Sequence, residues 1–370
     1  ASTASGSVIV GYQAGDAITT GNDNVIIGRD AASALTVEQE SVIIGTEAMK
    51  TSDNGSHNTV IGYKAAYDLY SGNNDNTVIG WSALSGANTS AGASENNTVI
   101  GSKSMLSSVS AVNCATLGVN TLYSITSGDF NVSVGAHSGY ASTTASGSTF
   151  LGYTAGYSNT TGNMNIAIGY DAMNGGTVTG DNNIAIGASA LDAVTSGHTN
   201  IAIGNDALDG QISGNDSVAI GNHAAANINA SNIIGIGAYA AHNGYGTGTT
   251  AIGFYSGYYS QTAGNTFVGY ESGKGTGAAG YGNSTALGYQ ALTGLSSGDD
   301  NTAVGYQAGN GIEAGAQNVF LGSGADGNGT AATNQIAIGY NVTGHGDNIA
   351  VIGNTSTTAW HPADDNGVNL

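Results

Sequence analysis

Residues able to do chemistry are few and scattered in this 370-residue chain. Arg29, Lys50, Lys64, Lys103 and Lys274 are its only basic side chains, against 25 Asp and Glu, for a formal net charge of −20. Cleaving an acidic glycan needs acids and bases converging on one site, and five bases so spread along the sequence predict no convergence. The paired acids Asp299-Asp300 and Asp364-Asp365 stand in turn-like sequence and read as solvated carboxylates. Seven His (57, 137, 198, 223, 242, 345 and 361) show no metal-ligand spacing. The single cysteine, Cys114, has no disulfide partner in the chain and no basic neighbour to activate it. These residues predict a non-enzyme with no cofactor and no catalytic residue. The turns at 71–76, 179–183 and 297–301 are rich in oxygen ligands for structural Ca²⁺, but the Gly-Gly-x-Gly-x-Asp nonapeptide of calcium β-rolls is absent.

Aromatic chemistry is better represented, with 19 Tyr. Tyr12, Tyr63, Tyr153, Tyr170, Tyr270, Tyr289, Tyr306 and Tyr340 all directly follow a Gly of one recurring pattern, and Trp81 and Phe254 do the same. Exposed rings can stack on sugars; aromatic columns can equally hold a coil corner or a seam between chains. The densest stretch is Phe254-Tyr255-Ser256-Gly257-Tyr258-Tyr259.

The elements that position these rings follow from the repeat. Segments such as Asn76-Thr77-Val78-Ile79-Gly80 and Ser217-Val218-Ala219-Ile220-Gly221 share one template, whose last Gly recurs 21 times between Gly11 and Gly353. Twelve of the 20 intervals are 17 residues, so the period is structural. Ile, Val or Leu always precedes the Gly, and the residue two earlier is Val, Ile, Thr or Ala. These two share one face of a strand. They predict a core ladder of Ile27, Ile61, Ile79, Ile100, Ile168, Ile186, Ile203, Ile220, Ile252 and Ile338. The position between them, often Ala and sometimes Phe, points to the other face. Asn or Ser four before the Gly suits a turn exit. A second Gly seven before it, as at Gly128, Gly180 and Gly298, predicts a positive-φ turn. Ala or Ser three after the Gly marks a short second arm. The longest intervals place insertions at 85–96 and 272–283, the latter including Tyr281.

The fold predicted is an all-β parallel β-solenoid of about 21 coils over residues 1–353, with 354–370 as a junction or cap. Coils stacked at about 4.8 Å give a rod on the order of 100 Å long. A strand apolar on both faces is covered on both, and a 17-residue coil is too thin to do this alone. A second chain is therefore expected on the outer face, most simply in a homotrimer. Gly at 61 residues without a three-residue period, and one Pro, exclude collagen. The charge balance excludes a nucleic-acid grip, and no apolar run reaches the roughly 18 residues of a membrane span.

Ser217-Val218-Ala219-Ile220-Gly221-Asn222-His223-Ala224 and Asn200-Ile201-Ala202-Ile203-Gly204-Asn205-Asp206-Ala207 resemble the head repeats of YadA-like trimeric autotransporter adhesins. That resemblance covers residues 7 to about 356 and implies a left-handed β-roll of three intertwined chains that binds host surfaces. The departure is the period, mostly 17 here against 14 to 15 in that family, so the opposite turn is longer. The array is also similar to the shafts of bacteriophage tail fibres. Residues 348–358 and 364–370 are similar to the link between such a shaft and a C-terminal trimerising domain. Both resemblances imply a trimeric, extracellular rod on a virion or cell surface, recognising a host glycan or protein receptor. The candidate receptor-binding residues are Trp81, Tyr255, Tyr258, Tyr259 and Tyr281. Alternatives are a purely structural filament, a glycan-cleaving enzyme and, from the aligned Thr59, Thr77 and Thr98, an ice-binding solenoid.

Overall fold

The computed structural model describes residues 5–52, 54–69, 72–86, 94–244, 246–277 and 280–357. It is an all-β parallel solenoid of about 20 turns with a repeat near 17 residues. The chain divides into two units, Ala1–Asn205 and Asp206–Leu370. In the first, three-residue strands run from Val8–Val10 to Ile201–Ile203; in the second, from Val218–Ile220 to Ala350–Ile352. Equivalent positions stack in parallel register within each unit: Val25, Ile26 and Ile27 lie on Val42, Ile43 and Ile44, and Thr250, Ala251 and Ile252 on Thr266, Phe267 and Val268. One additional pair, Val37–Gln39 with Asn54–Ser56, forms on another side of its coils.

Apart from that pair, each described coil has one strand, and the arc after its motif Gly is not a second one. After the motif Gly the backbone enters an arc in which the second and fourth residues are left-handed although seldom Gly: Asp30 and Ala32 at φ 55° and 52°, Lys64 and Ala66 at 54° and 51°. A left-handed non-Gly residue costs on the order of 1 kcal/mol. Here the alternation turns peptide groups along the stack. Asp30 N–H donates to Tyr12 O at 2.8 Å in the preceding coil, and Ala32 N–H to Ala48 O at 2.9 Å in the following one. Cross-coil hydrogen bonds offset the local strain. The motif Gly is required twice over: Gly28 sits at φ 141°, and a Cβ there would run into the carbonyl of Gly45.

The predicted core ladder is inverted. The middle residue of the strand is sealed inside in every coil between the first strand and the last, as with Ile26, Val60, Val78, Ala167 and Ala185, while Ile9 of Val8–Val10 is exposed and Val351 of Ala350–Ile352 half-buried. Ile27, Ile203, Ile220 and Ile252 are exposed, Ile27 at 37%, and Ile61, Ile79, Ile100, Ile168, Ile186 and Ile338 are only half-buried. The reason is parity. The residue four before the Gly and the middle strand residue share the inward face, and the former is held there by polar bonds. Asn76 Oδ1 accepts from Asn97 N–H at 3.0 Å, and Asn97 Oδ1 from Cys114 N–H at 2.9 Å, while Asn97 Nδ2 donates to Ala111 O at 2.9 Å. In the second unit Asn301 Oδ1 accepts from Asn318 N–H and Asn318 Oδ1 from Gln335 N–H. These Asn form a buried ladder rather than a turn exit. With Asn inside, the larger aliphatic column must face out.

The interior is one side chain wide, so size sorts what enters it. Where the middle residue is Phe150 or Phe267, the neighbouring fourth positions after the motif Gly are Gly. A Cβ on Gly139 would lie 2.7 Å from Phe150 Cδ2, and one on Gly156 would overlap the opposite edge of the same ring. Phe267 is flanked by Gly257 and Gly273 in the same way. Where the middle is Ala185, the fourth positions are Met173 and Leu191, all fully buried. Seven before the motif Gly, Gly128 and Gly180 are not left-handed; that conformation falls two residues later, at Phe130 and Asn182, although Gly298 does have φ 100°. Most of these Gly are needed for closeness, since a Cβ on Gly180 would run into the carbonyl of Gly197.

Candidate functional site

Stacking turns each sequence position into a column along its unit, so functional groups must be sought column by column. Just after the motif Gly, Phe254, Tyr270, Tyr289 and Tyr306 stack with centroid separations of 5.5, 5.0 and 5.4 Å and interplanar angles of 8–19°. Five after it, in the first unit, Tyr123, Tyr140 and Tyr157 stack at 4.8 and 5.0 Å. Rings stacked on one another have their faces occupied. They offer edges and hydroxyls to solvent, not platforms for sugars.

The candidate residues do not meet at one site. Tyr255 and Tyr258 join a half-buried cluster with His223, Tyr239 and His242. Tyr239 stacks on Tyr255 at 4.9 Å and His242 on Tyr258 at 5.1 Å, while Tyr259 meets Tyr258 edge-on at 4.6 Å. Burial holds His242 below the ordinary imidazole range. Lys274 lies 5.2 Å from the Tyr255 centroid and pairs with Glu271 at 2.8 Å. Tyr281, expected on an exposed insertion, is fully buried instead. It takes the inward slot that Gly or another small residue usually fills, lies against Phe267 and donates from Oη to Gly273 O at 2.8 Å. Burial pushes its pKa up. The longer interval supplies the backbone that lets a large ring fold inward; only 278–279 of that insertion lie outside the described residues.

Trp81 is in the first unit, 48% exposed, at the corner beside the other insertion, of which 87–93 lie outside the described residues. Lys103, one coil on, places Nζ 4.8 Å from the Trp81 ring centroid. Spacing in sequence is a poor guide to the cations. Coil stacking brings Lys50 within 3.6 Å of Asp30 and Lys64 within 3.5 Å of Glu47, which also pairs with Lys50 of its own coil at 3.3 Å. A 17-residue register was the available signal for this cluster, since Asp30, Glu47 and Lys64 share one column.

The remaining chemistry is structural. Cys114 occupies an inward Asn slot, and burial pushes its thiol up to about 11. Asp181 Oδ1 accepts from Asn163 N–H at 2.6 Å and Asp299 Oδ1 from Gly282 N–H at 2.6 Å, so these turn carboxylates tie adjacent coils together. Ser71 of the other oxygen-rich turn lies outside the described residues, as do 358–370 of the C-terminal segment. Among the described residues no group of three His, Cys, Asp or Glu converges as a metal set, and no helix is long and apolar enough to cross a membrane. Glu38 was not singled out by sequence. It is fully buried in the inward slot seven before Gly45, accepts from Ser41 Oγ through Oε1, leaves Oε2 without a partner, and is raised by burial to about 7.

The most extensive surface feature is the strand face. Its two outward columns carry Ile, Val, Leu or Thr in coil after coil of each unit, including exposed Val10, Leu117, Leu151, Ile220, Leu287 and Leu321. Thr59, Thr77 and Thr98 are in register on it, and so is a longer run, Thr250, Thr266, Thr285 and Thr302. No family model matches the chain, and no curated protein matches its sequence.

Proposed function

We propose that this chain is a shaft segment of a homotrimeric, extracellular fibre that recognises a host-surface glycan or protein, best read as a phage tail fibre, with a bacterial trimeric autotransporter adhesin head as the alternative. The observation that carries this reading is the outward face of the strands. One column of Ile, Val or Leu, beside a second in which such residues are mixed with Thr, continues coil after coil along each unit, a contiguous face of the kind a monomer ordinarily does not leave in water. Covering this face with copies of the same chain is the simplest solution, because identical columns run in parallel on every copy. Three copies then present each recognition element three times, and avidity supplies strength that single weak contacts lack. The chain acts by projection and multivalency, without catalysis.

Sedimentation equilibrium tests the assembly. A trimer is expected for the native chain. Replacing Ile186 and Ile220 with Glu places carboxylates on the apolar columns while sparing the interior, and should shift the protein to monomer with its β-type circular dichroism retained. A native chain that is monomeric at micromolar concentration overturns the reading. The four-Thr run supports ice binding as a second reading of the same face, and thermal hysteresis from a monomeric sample would favour it.

A further inference from the structure

Four of the five cations in this strongly acidic chain, Arg29, Lys50, Lys64 and Lys103, lie in the arcs that follow motif glycines of the first unit, Lys64 and Lys103 in one column and Arg29 and Lys50 in others. Lys50 and Lys64 share Glu47, and Lys50 also reaches Asp30. Lys103 has no carboxylate partner among the described residues; its ammonium rests over Trp81. Tyr63 and Trp81 occupy one column in adjacent coils, both exposed, and among the described residues neither has another ring stacked on it. They differ in this from the closed stacks of Tyr123, Tyr140 and Tyr157. Lys64 and Lys103 lie in the neighbouring column two coils apart, a rise of roughly 10 Å at the strand spacing. Lys64 Nζ is itself 5.6 Å from the Tyr63 centroid and 5.0 Å from that of Tyr67.

We propose that Tyr63, Lys64, Trp81 and Lys103 form a binding site for an acidic linear polysaccharide lying along the coil stack. This rests on the reading of the chain as a surface-recognising fibre and names the chemistry it would recognise. A sugar unit is of comparable length to one coil step. A polymer with an acid group on alternate sugars therefore sets one carboxylate on Lys103 and the next on Lys64, while the one sugar between them packs on the exposed Trp81 ring where the Lys103 ammonium leaves it free. Glu47 closes the site at the Lys64 end by like-charge repulsion, which limits it to a short stretch of polymer.

The test is calorimetric titration of the full chain with hyaluronan oligosaccharides, which carry uronate on alternate sugars, and with dextran oligosaccharides as the neutral control. Hyaluronan fragments should bind and dextran fragments should not, and affinity should fall on raising the salt. Lys103→Gln should lower affinity about tenfold, the loss of one charge-assisted contact, and Trp81→Ala should abolish measurable binding. Equal binding of both polymers, no binding of hyaluronan, or an unchanged Lys103→Gln variant overturns the site. Sedimentation of the same samples separates the two readings. A trimer that ignores hyaluronan sinks the site and leaves the fibre; a monomer sinks the fibre itself. Dissociation of the trimer by Trp81→Ala would assign the ring to a seam between chains and also overturn the site.

Discussion

Two neighbouring parts of the first unit are built on one template and filled in opposite ways. Around Phe150 the ring occupies the interior, and the flanking positions Gly139 and Gly156 give it room. Around Ala185 the middle residue is small, and Met173 and Leu191 fill the space from the arc. The strands Thr149–Leu151 and Ile184–Ile186 keep the same register with their neighbours in both. The backbone therefore fixes the cross-section, and the sequence is free to choose which of two positions supplies the volume. Close-packed interiors require that sum to be conserved, not the identity of either residue.

The comparison breaks most sharply at the ring. Phe150→Ala leaves a cavity bordered by two glycines that cannot refill it, and should cost about 3–5 kcal/mol by denaturant unfolding. Adding Gly156→Leu should recover part of that loss. Position 156 has φ 62°, and Leu191 at the equivalent position of another coil has φ 53°, so the fourth position accepts Leu. No recovery in the double variant would show that the two positions are not exchangeable.

Glu38 extends the comparison from size to charge, since it places a carboxyl in the same narrow interior. Its folded pKa of about 7 lies above the ordinary 4.5. Below pH 4.5 the group is neutral in both folded and unfolded chains and imposes no penalty. As pH rises from 4.5 towards 7 the unfolded chain ionises first, so stability falls; above 7 the deficit is constant. Glu38→Gln should therefore stabilise the protein at pH 8 by about 3 kcal/mol and leave it little changed at pH 4. Equal melting shifts at both pH values would contradict the buried carboxyl. The smallest effect is the converse of the first: Ala185→Phe should overpack its coil and cost about 1–3 kcal/mol, with relief when Leu191→Gly is added.

The repeat was legible because it is covalent. The position of each motif Gly, the strand before it and the parallel stacking all follow from a 17-residue period with an invariant small residue at the corner. The inward face was not legible, because hydrophobicity ranks Ile186 above Ala185 as a core residue. In a coil this thin, space decides instead, and the most apolar column is left outside. The Asn column misled for a related reason. Asn131 and Asn165 look like solvent-facing turn residues until stacking supplies buried carbonyls for their amides, Ala145 O at 2.7 Å and Gly180 O at 2.8 Å.

The candidate site divides in the same way. Sequence placed Trp81 at a corner and Tyr255, Tyr258 and Tyr259 in one dense stretch. Only the stacked coils closed the faces of the Tyr columns, turned Tyr281 inward, and brought Lys103 over Trp81. By itself, then, the sequence determined the period, the strand and the class of fold, since these are set by residues adjacent in the chain. The tertiary structure decided which side of each strand is interior and which aromatic rings stay open. Both depend on contacts between residues a full coil apart, where spatial neighbours are set by register rather than by chemical type.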